Sequence, residues 1–133
     1  MTKVDYRAGD CPDTEAIIDL YNSSGIRRPV GDPERIRNMF VNSNLIVSAW
    51  DGGILVGIAR SLTDFCYACY LSDLAVRKEY QKQGVGMMLI EATQKEIGPQ
   101  ASLLLLSATG AMGYYPKIGF EKIENGFIIH RKW

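Results

Sequence analysis

Two rhythms of apolar and polar positions run along this chain, and the changes between them mark its elements. Leu45 to Trp50 and Ile54 to Leu62 are apolar, strand-like runs joined by Asp51-Gly52-Gly53, which predicts a hairpin. A further strand is expected from Tyr67 to Val76, antiparallel to its predecessor because the connection is short. Elsewhere the rhythm is helical. Asp13 is a good N-cap for a helix whose stripe is Ala16, Ile17, Leu20 and Tyr21 and which ends near Ser23-Ser24-Gly25. Asp32-Pro33-Glu34 opens a second helix, with Ile36, Met39 and Phe40 on one face; proline suits the first helical position because it has no N–H to lose there. Met87 to about Ile97 forms a third amphipathic helix. Ser102-Leu103-Leu104-Leu105-Leu106-Ser107 is a continuous apolar run, the mark of a strand covered on both faces. A short first strand is expected from Lys3 to Arg7, a short helix from Ala111 to Ile118 limited by Pro116, and two closing strands, Gly119 to Ile123 and Phe127 to Lys132. The order β-α-α-β-β-β-α-β-α-β-β predicts an α/β fold: a mixed, mostly antiparallel central sheet flanked by helices on both faces.

Composition narrows the classes. The chain has 133 residues, read as a single domain over 1–133, and 47% are apolar, a normal globular share. Fifteen basic and fifteen acidic residues cancel, so no general attraction to nucleic acid or to an anionic membrane is expected. No apolar run approaches the ~20 residues needed to span a bilayer. The first residues, Met1 to Arg7, lack a signal-peptide core, and three cysteines cannot all pair, which suits a reducing cytoplasm. Cys66 and Cys69 form a lone CxxC with no second pair, so no metal site is expected.

The chemistry concentrates between Leu71 and Ile97. The apolar segment Leu71-Ser72-Asp73-Leu74-Ala75-Val76 is followed by a basic, polar turn, then Gln81-Lys82-Gln83-Gly84-Val85-Gly86, then a helix. Strand, glycine loop and helix N-terminus together make an anion cradle, because glycines bring backbone N–H groups close and the helix end adds roughly half a positive charge. A dinucleotide fold does not fit: Leu89 stands where the third glycine of GxGxxG belongs, and Arg77 to Gln83 separate strand from loop. The missing GK[ST] excludes a Walker loop.

Two separated segments resemble one family. Gln81-x-x-Gly84-x-Gly86 is similar to the acyl-CoA pyrophosphate loop of the GNAT superfamily of N-acetyltransferases, and Ala111-Met112-Gly113-Tyr114-Tyr115-Pro116-Lys117-Ile118-Gly119-Phe120 resembles that family's later A-x-x-[FY]-Y-x-x-x-G-F segment. The resemblance implies a GNAT-like acyl-CoA N-acyltransferase fold and acetyl-CoA as co-substrate. It implies that Leu74, Ala75 and Val76 pair through their backbone with the pantetheine arm as an added strand. Gln81 takes the first loop position, and the amides from Lys82 through Gln83, Gly84, Val85 and Gly86 to Met87 hold the pyrophosphate. It places the general acid at Tyr115, leaves Tyr114 as the core aromatic, and makes the Leu74 N–H the oxyanion donor. Relatives commonly carry an asparagine where Ala108 stands; Thr109 or Ser107 is the substitute here.

No side chain stands out as the base. By strict alternation Asp73 lies on the opposite face from Tyr70, Ser72 and Leu74 and reads as structural, so proton removal is assigned to a water held by Ser72 or Tyr70, or to an amine that arrives neutral. In the family the loop between the first two helices shapes the acceptor pocket, which makes Arg27 and Arg28, with Tyr70, the substrate-side residues; the arginines suit an acceptor with a carboxylate or phosphate, or a solvated loop. The expected activity is acetylation of a small-molecule primary amine. A lysine or N-terminal peptide acetyltransferase and a non-catalytic acyl-CoA-binding sensor are the alternatives, and a homodimer is the expected assembly.

Overall fold

A computed structural model describes residues 3–133. Five strands, β1 (Asp5–Ala8), β2 (Leu45–Asp51), β3 (Ile54–Thr63), β4 (Ala68–Val76) and β5 (Ser102–Leu105), form one sheet in the order β1-β2-β3-β4-β5. The first four are antiparallel and β4–β5 is parallel. Connection length explains both. Gly52-Gly53 closes the β2–β3 hairpin, with Gly52 at φ +61°, whereas a whole helix crosses over between β4 and β5.

Three helices cover the sheet: α1 (Thr14–Ser24), α2 (Pro33–Val41) and α3 (Val85–Ile97). The Asp32 carboxylate caps α2 by accepting from the Arg35 N–H at 3.1 Å, and Gly25, left-handed at φ +83°, closes α1. On one face Ile17, Leu20 and Tyr21 of α1 and Ile36 and Phe40 of α2 bury themselves against Ile46, Leu55, Ile58 and Ala75. On the other, Val85, Leu89, Ile90 and Ile97 of α3 pack on Val47, Val56, Ala59, Cys69 and Leu71. Helix α3 comes very close at Gly57, where a Cβ would lie 3.0 Å from Leu89 Cδ1 and 3.1 Å from Val85 Cγ1.

Strict alternation fails in β4, and the failure matters. Arg60 pairs with Asp73 but Ser61 pairs with Leu71, so Ser72 is an extra, bulged residue. Cys69 and Leu71 therefore face α3, while four residues after Leu71 Ala75 faces α1 and α2, and Leu74 and Val76 now face α3. The bulge puts Asp73 on the helix α1–α2 face, the side Tyr70 occupies before it. The expectation that the two lie on opposite faces is corrected, because a one-residue insertion inverts every later side chain.

The C-terminal part also departs from expectation. Gly110, Gly113 and Pro116 weaken the helix expected over Ala111–Ile118, and two single turns form instead, Thr109–Ala111 and Tyr115–Ile118. Neither closing strand forms: from Glu121 to Trp133 the chain is exposed and, among the described residues, pairs with no strand. Pattern can mark a segment as strand-like, but only an adjacent edge makes it a strand. Nor is β5 covered on both faces, since Leu104 is 43% exposed, and Leu106, just past its end, is 64% exposed.

Candidate functional site

The β4–β5 ladder runs from Ala68↔Ser102 to Leu71↔Leu105 and stops at the bulge. Beyond it β4 continues alone on that side. Arg77 donates from its N–H to the Val56 carbonyl at 2.8 Å, so in antiparallel alternation Ala75 and Asp73 also bond toward β3. Leu74 and Val76 consequently direct their N–H and C=O groups away from β3, toward the side β5 has vacated. An extended ligand meets a ready strand edge there. Ala75, by the same alternation, offers such a ligand no backbone group, and its side chain is buried in the opposite core.

At the end of this edge lies the glycine loop. Lys82 and Gly84 are left-handed, at φ +63° and +87°, and Gly84 is the residue before α3. As the first helical residues, Val85, Gly86 and Met87 have N–H groups with no intrahelical acceptor, and among the described residues the amides of Lys82, Gln83 and Gly84 donate to no backbone carbonyl. Among the described residues no side chain caps the helix. The result is a row of amide donors at a positive helix end, suited to a phosphate or pyrophosphate. Gly86 leaves space: a Cβ there would be 3.5 Å from the Tyr114 hydroxyl, 3.9 Å from Val76 Cγ2 and 4.0 Å from Leu74 Cδ2.

The loop is tied down from behind by the end of α1. Ser23 Oγ accepts from the Lys78 N–H at 3.0 Å, and the Gln81 side-chain amide donates to the carbonyls of Val76 (2.8 Å) and Ser24 (3.3 Å). Arg77 reaches the Leu55 carbonyl and Asp19. Gln81 thus fastens the loop to the strand it follows, with its amide hydrogens directed at the protein.

On the α1–α2 side of the bulge stands a charge cluster. The buried Asp73 carboxylate accepts from Tyr21 Oη at 2.6 Å, Arg28 Nε at 2.7 Å, Arg60 Nε at 2.9 Å and the Ser72 hydroxyl at 3.2 Å. Burial pushes this carboxyl up, but the hydrogen bonds and charge of Arg60, the Tyr21 bond and Arg28 outweigh it and hold the group below the usual carboxylate range. Burial, and then Asp73 itself, raise the Tyr21 phenol far above normal, so it stays a donor. Arg28 also donates to the Ser72 carbonyl at 2.8 Å, which locks the α1–α2 loop to the bulge. Of the two arginines assigned to an acceptor, Arg28 is occupied here and Arg27 remains exposed. Ser72 Oγ already accepts from Arg60 at 2.8 Å. The sequence marks Tyr21 only as part of the apolar stripe of α1 and gives Arg60 no role; an arginine within a β-rich apolar strand is the available signal.

The tyrosine pair is placed differently from expectation. Tyr114, expected in the core, is 41% exposed, with its hydroxyl over Gly86, while Tyr115 packs against the α3-side core and meets both Tyr114 and Phe120 edge to face at 5.2 and 5.5 Å between centroids. The single turns that replace the expected helix set this orientation. Burial, with a smaller contribution from Tyr114, raises the Tyr115 phenol. Thr109 is exposed at the start of its turn. Among the described residues no group of three or more His, Cys, Asp or Glu side chains gathers as metal ligands.

Comparison with known proteins bears on the family and the fold. A family model described as an acetyltransferase (GNAT) domain matches residues 19–130. GCN5-related N-acetyltransferase 2, chloroplastic, from Arabidopsis thaliana is 31% identical over 138 residues, covering 82% of this chain and 52% of that protein. The chain spans about half the length of the curated relatives it matches. Among solved structures, a probable acetyltransferase from meticillin-resistant Staphylococcus aureus is 26% identical with TM-score 0.81, each chain covered to 100%. The aminoglycoside N-acetyltransferase AAC(6')-Iy, in complex with CoA, shares the fold at 15% identity and TM-score 0.74, over 100% of this chain and 97% of that one.

Proposed function

The chain belongs to the GNAT acetyltransferase family, and from that membership we propose that it transfers the acetyl group of acetyl-CoA to a primary amine of a small molecule. The observation that carries the reading is the unpaired edge at Leu74 and Val76 ending on the row of amides from Lys82 to Met87. A pantetheine arm is an extended chain of amides, and a diphosphate is the anion such a row suits. That the structural neighbour AAC(6')-Iy was solved with CoA is consistent with this.

Acetyl-CoA supplies the acetyl group as a thioester: the C–S bond breaks, a C–N bond forms, the amine gives up a proton and the thiolate takes one. The chain's residues handle charge and protons around that exchange. The Leu74 N–H, free on the open edge, donates to the carbonyl oxygen as it gains negative charge. A tyrosine returns a proton to the departing sulfur. Tyr115 holds the family segment's position for this acid, and its raised pKa keeps the proton in place at neutral pH. Tyr114 is the second candidate, favoured by the position of its hydroxyl beside Gly86 and the Leu74 and Val76 side chains. For the base, Asp73 is unsuited, since two arginines and Tyr21 stabilise its anion. The amine therefore arrives neutral or loses its proton to water beside Tyr70 and Ser72. Arg27, exposed on the α1–α2 loop, is the charge available to an anionic group on the acceptor. Aminoglycoside acetyltransferases among the structural neighbours are consistent with a small amine acceptor.

The test is thiol release from acetyl-CoA over a panel of aminoglycosides, arylalkylamines, polyamines, amino acids and peptides, with calorimetry for CoA binding. Turnover with a small amine supports the proposal. Turnover only with peptides supports a protein acetyltransferase, and binding without turnover a sensor. An absence of binding heat removes the reading altogether. Tyr115→Phe and Tyr114→Phe then identify the acid, as the change that lowers turnover about a hundredfold or more while CoA binding persists.

A further inference from the structure

The extra residue of the β4 bulge is held from outside the sheet. Among the described residues Ser72 pairs with no residue of β3, and the β4–β5 ladder ends just before it, at Leu71↔Leu105. A residue left out of a ladder must satisfy its backbone groups elsewhere. Guanidinium groups from two other elements hold this one. Arg28, on the loop between α1 and α2, donates from Nη2 to the Ser72 carbonyl at 2.8 Å and from Nε to Asp73 Oδ1 at 2.7 Å. Arg60, on β3, donates from Nη2 to Ser72 Oγ at 2.8 Å and from Nε to Asp73 Oδ2 at 2.9 Å. The two arginines do different things. Arg60, with Tyr21, satisfies the buried carboxylate from within the sheet and α1, whereas Arg28 grips the main chain of the bulge and its side chain is 28% exposed.

The Leu74 N–H belongs to the peptide plane that begins at the Asp73 carbonyl carbon, so the backbone dihedrals of Asp73 set its direction. Arg28 restrains Asp73 twice: through the Ser72 carbonyl, in the peptide plane before it, and through its carboxylate. A rigid fork with one prong on each leaves that residue little freedom to turn. The geometry points to Arg28 as a positioning residue that, through the Ser72 carbonyl and the Asp73 carboxylate, aims the Leu74 N–H at the thioester carbonyl. This role presupposes the acetyl transfer proposed above. It also replaces the expectation that Arg28 binds the acceptor, since its three nitrogens are all engaged within the protein, on Asp73, Ser72 and the Arg27 carbonyl. Because Arg60 and Tyr21 still hold the carboxylate when Arg28 is removed, the aim can be lost while the fold survives.

Infrared difference spectra of bound acetyl-CoA, isotopically labelled at its carbonyl carbon, read the Leu74 hydrogen bond directly, because a donor to the oxygen lowers the C=O stretch. In Arg28→Met the band should move to higher frequency than in the wild type. CoA affinity by calorimetry should stay within about threefold, since the amides from Lys82 to Met87 are untouched. Arg28→Lys keeps a charge beside Asp73 without the fork, so it should melt close to the wild type and still shift the band. Ile36→Val, a small cavity in the α1–α2 core, should lower the melting temperature and leave the band in place. A band unmoved in Arg28→Met overturns the role. So does one unmoved in Arg28→Lys, which would make charge alone sufficient, or one moved as far by Ile36→Val, which would make it general loosening. A wild-type protein that binds no acetyl-CoA overturns the proposed transfer and this role with it, a result distinct from binding with an unmoved band.

Discussion

Gly86→Ala separates ligand binding from folding. The added methyl would meet the Tyr114 hydroxyl at 3.5 Å, Val76 Cγ2 at 3.9 Å and Leu74 Cδ2 at 4.0 Å, all ordinary contacts, and Gly86 lies within α3 with no left-handed φ. The protein without ligand should therefore tolerate it. Replacing glycine by alanine in a helix is worth up to ~1 kcal/mol, less in the first turn, so stability should be unchanged or slightly higher. The same methyl projects between the open β4 edge and the start of α3, where a pantetheine diphosphate would run. Pushing the diphosphate off one amide forfeits a charge-assisted hydrogen bond of about 1.5–3 kcal/mol. Affinity should then fall by about tenfold to a hundredfold. Thermal denaturation of the free protein and calorimetric titration with CoA read the two halves. If CoA binds the alanine variant with wild-type affinity, the amide row is not the anion site. If the variant melts several degrees lower, the packing argument is wrong.

Other expectations follow from the same contacts. Asp73→Asn leaves the nearly buried Arg60 and the partly buried Arg28 without their counter-charge, and breaking such a pair costs about 3–5 kcal/mol, so the melting temperature should drop by roughly 10–20 °C. A shift under 2 °C would mean that the cluster contributes nothing. Because the Asp73 carboxyl is held below its ordinary value, its contribution is complete above the ordinary carboxylate range and is lost as pH falls through the lowered folded-state value. The stability gap between wild type and Asp73→Asn should therefore close in acid, below about pH 4, as chemical denaturation at a series of pH values would show. Gly57→Ala forces a methyl to 3.0 Å from Leu89 Cδ1 and should destabilise by about 1–3 kcal/mol, measured by urea denaturation; an unchanged midpoint would show that α3 can move away freely.

Much of the architecture was legible in local pattern. The β2–β3 hairpin announces itself through two apolar runs around Gly52-Gly53, α2 through Asp32-Pro33, and the anion loop through Gly84 and Gly86 ahead of a helical stripe. Each of these depends on residues within a few positions of one another, which is the range over which dihedral preference, capping and turn chemistry act. The face on which Asp73 lies was a different kind of question. It depends on the bulge at Ser72, and no residue near it announces an insertion; the pairing of Arg60 with Asp73 and of Ser61 with Leu71 across two strands decides it.

What the sequence determined by itself, then, is the set and order of the elements from β1 to β5 and the presence of a strand–glycine loop–helix unit. Tertiary structure alone decided that β4 parts from β5 at Leu71, that Leu74 and Val76 direct their backbone groups into the gap, and that Arg28 is spent on Asp73. It also decided that Tyr114 presents its hydroxyl at the gap, and that Phe127 to Lys132 stays without a partner. The physical reason is common to all of them. Helices and turns close their hydrogen bonds among near neighbours, whereas a strand edge, a bulge and a buried ion pair are completed by residues distant in the chain.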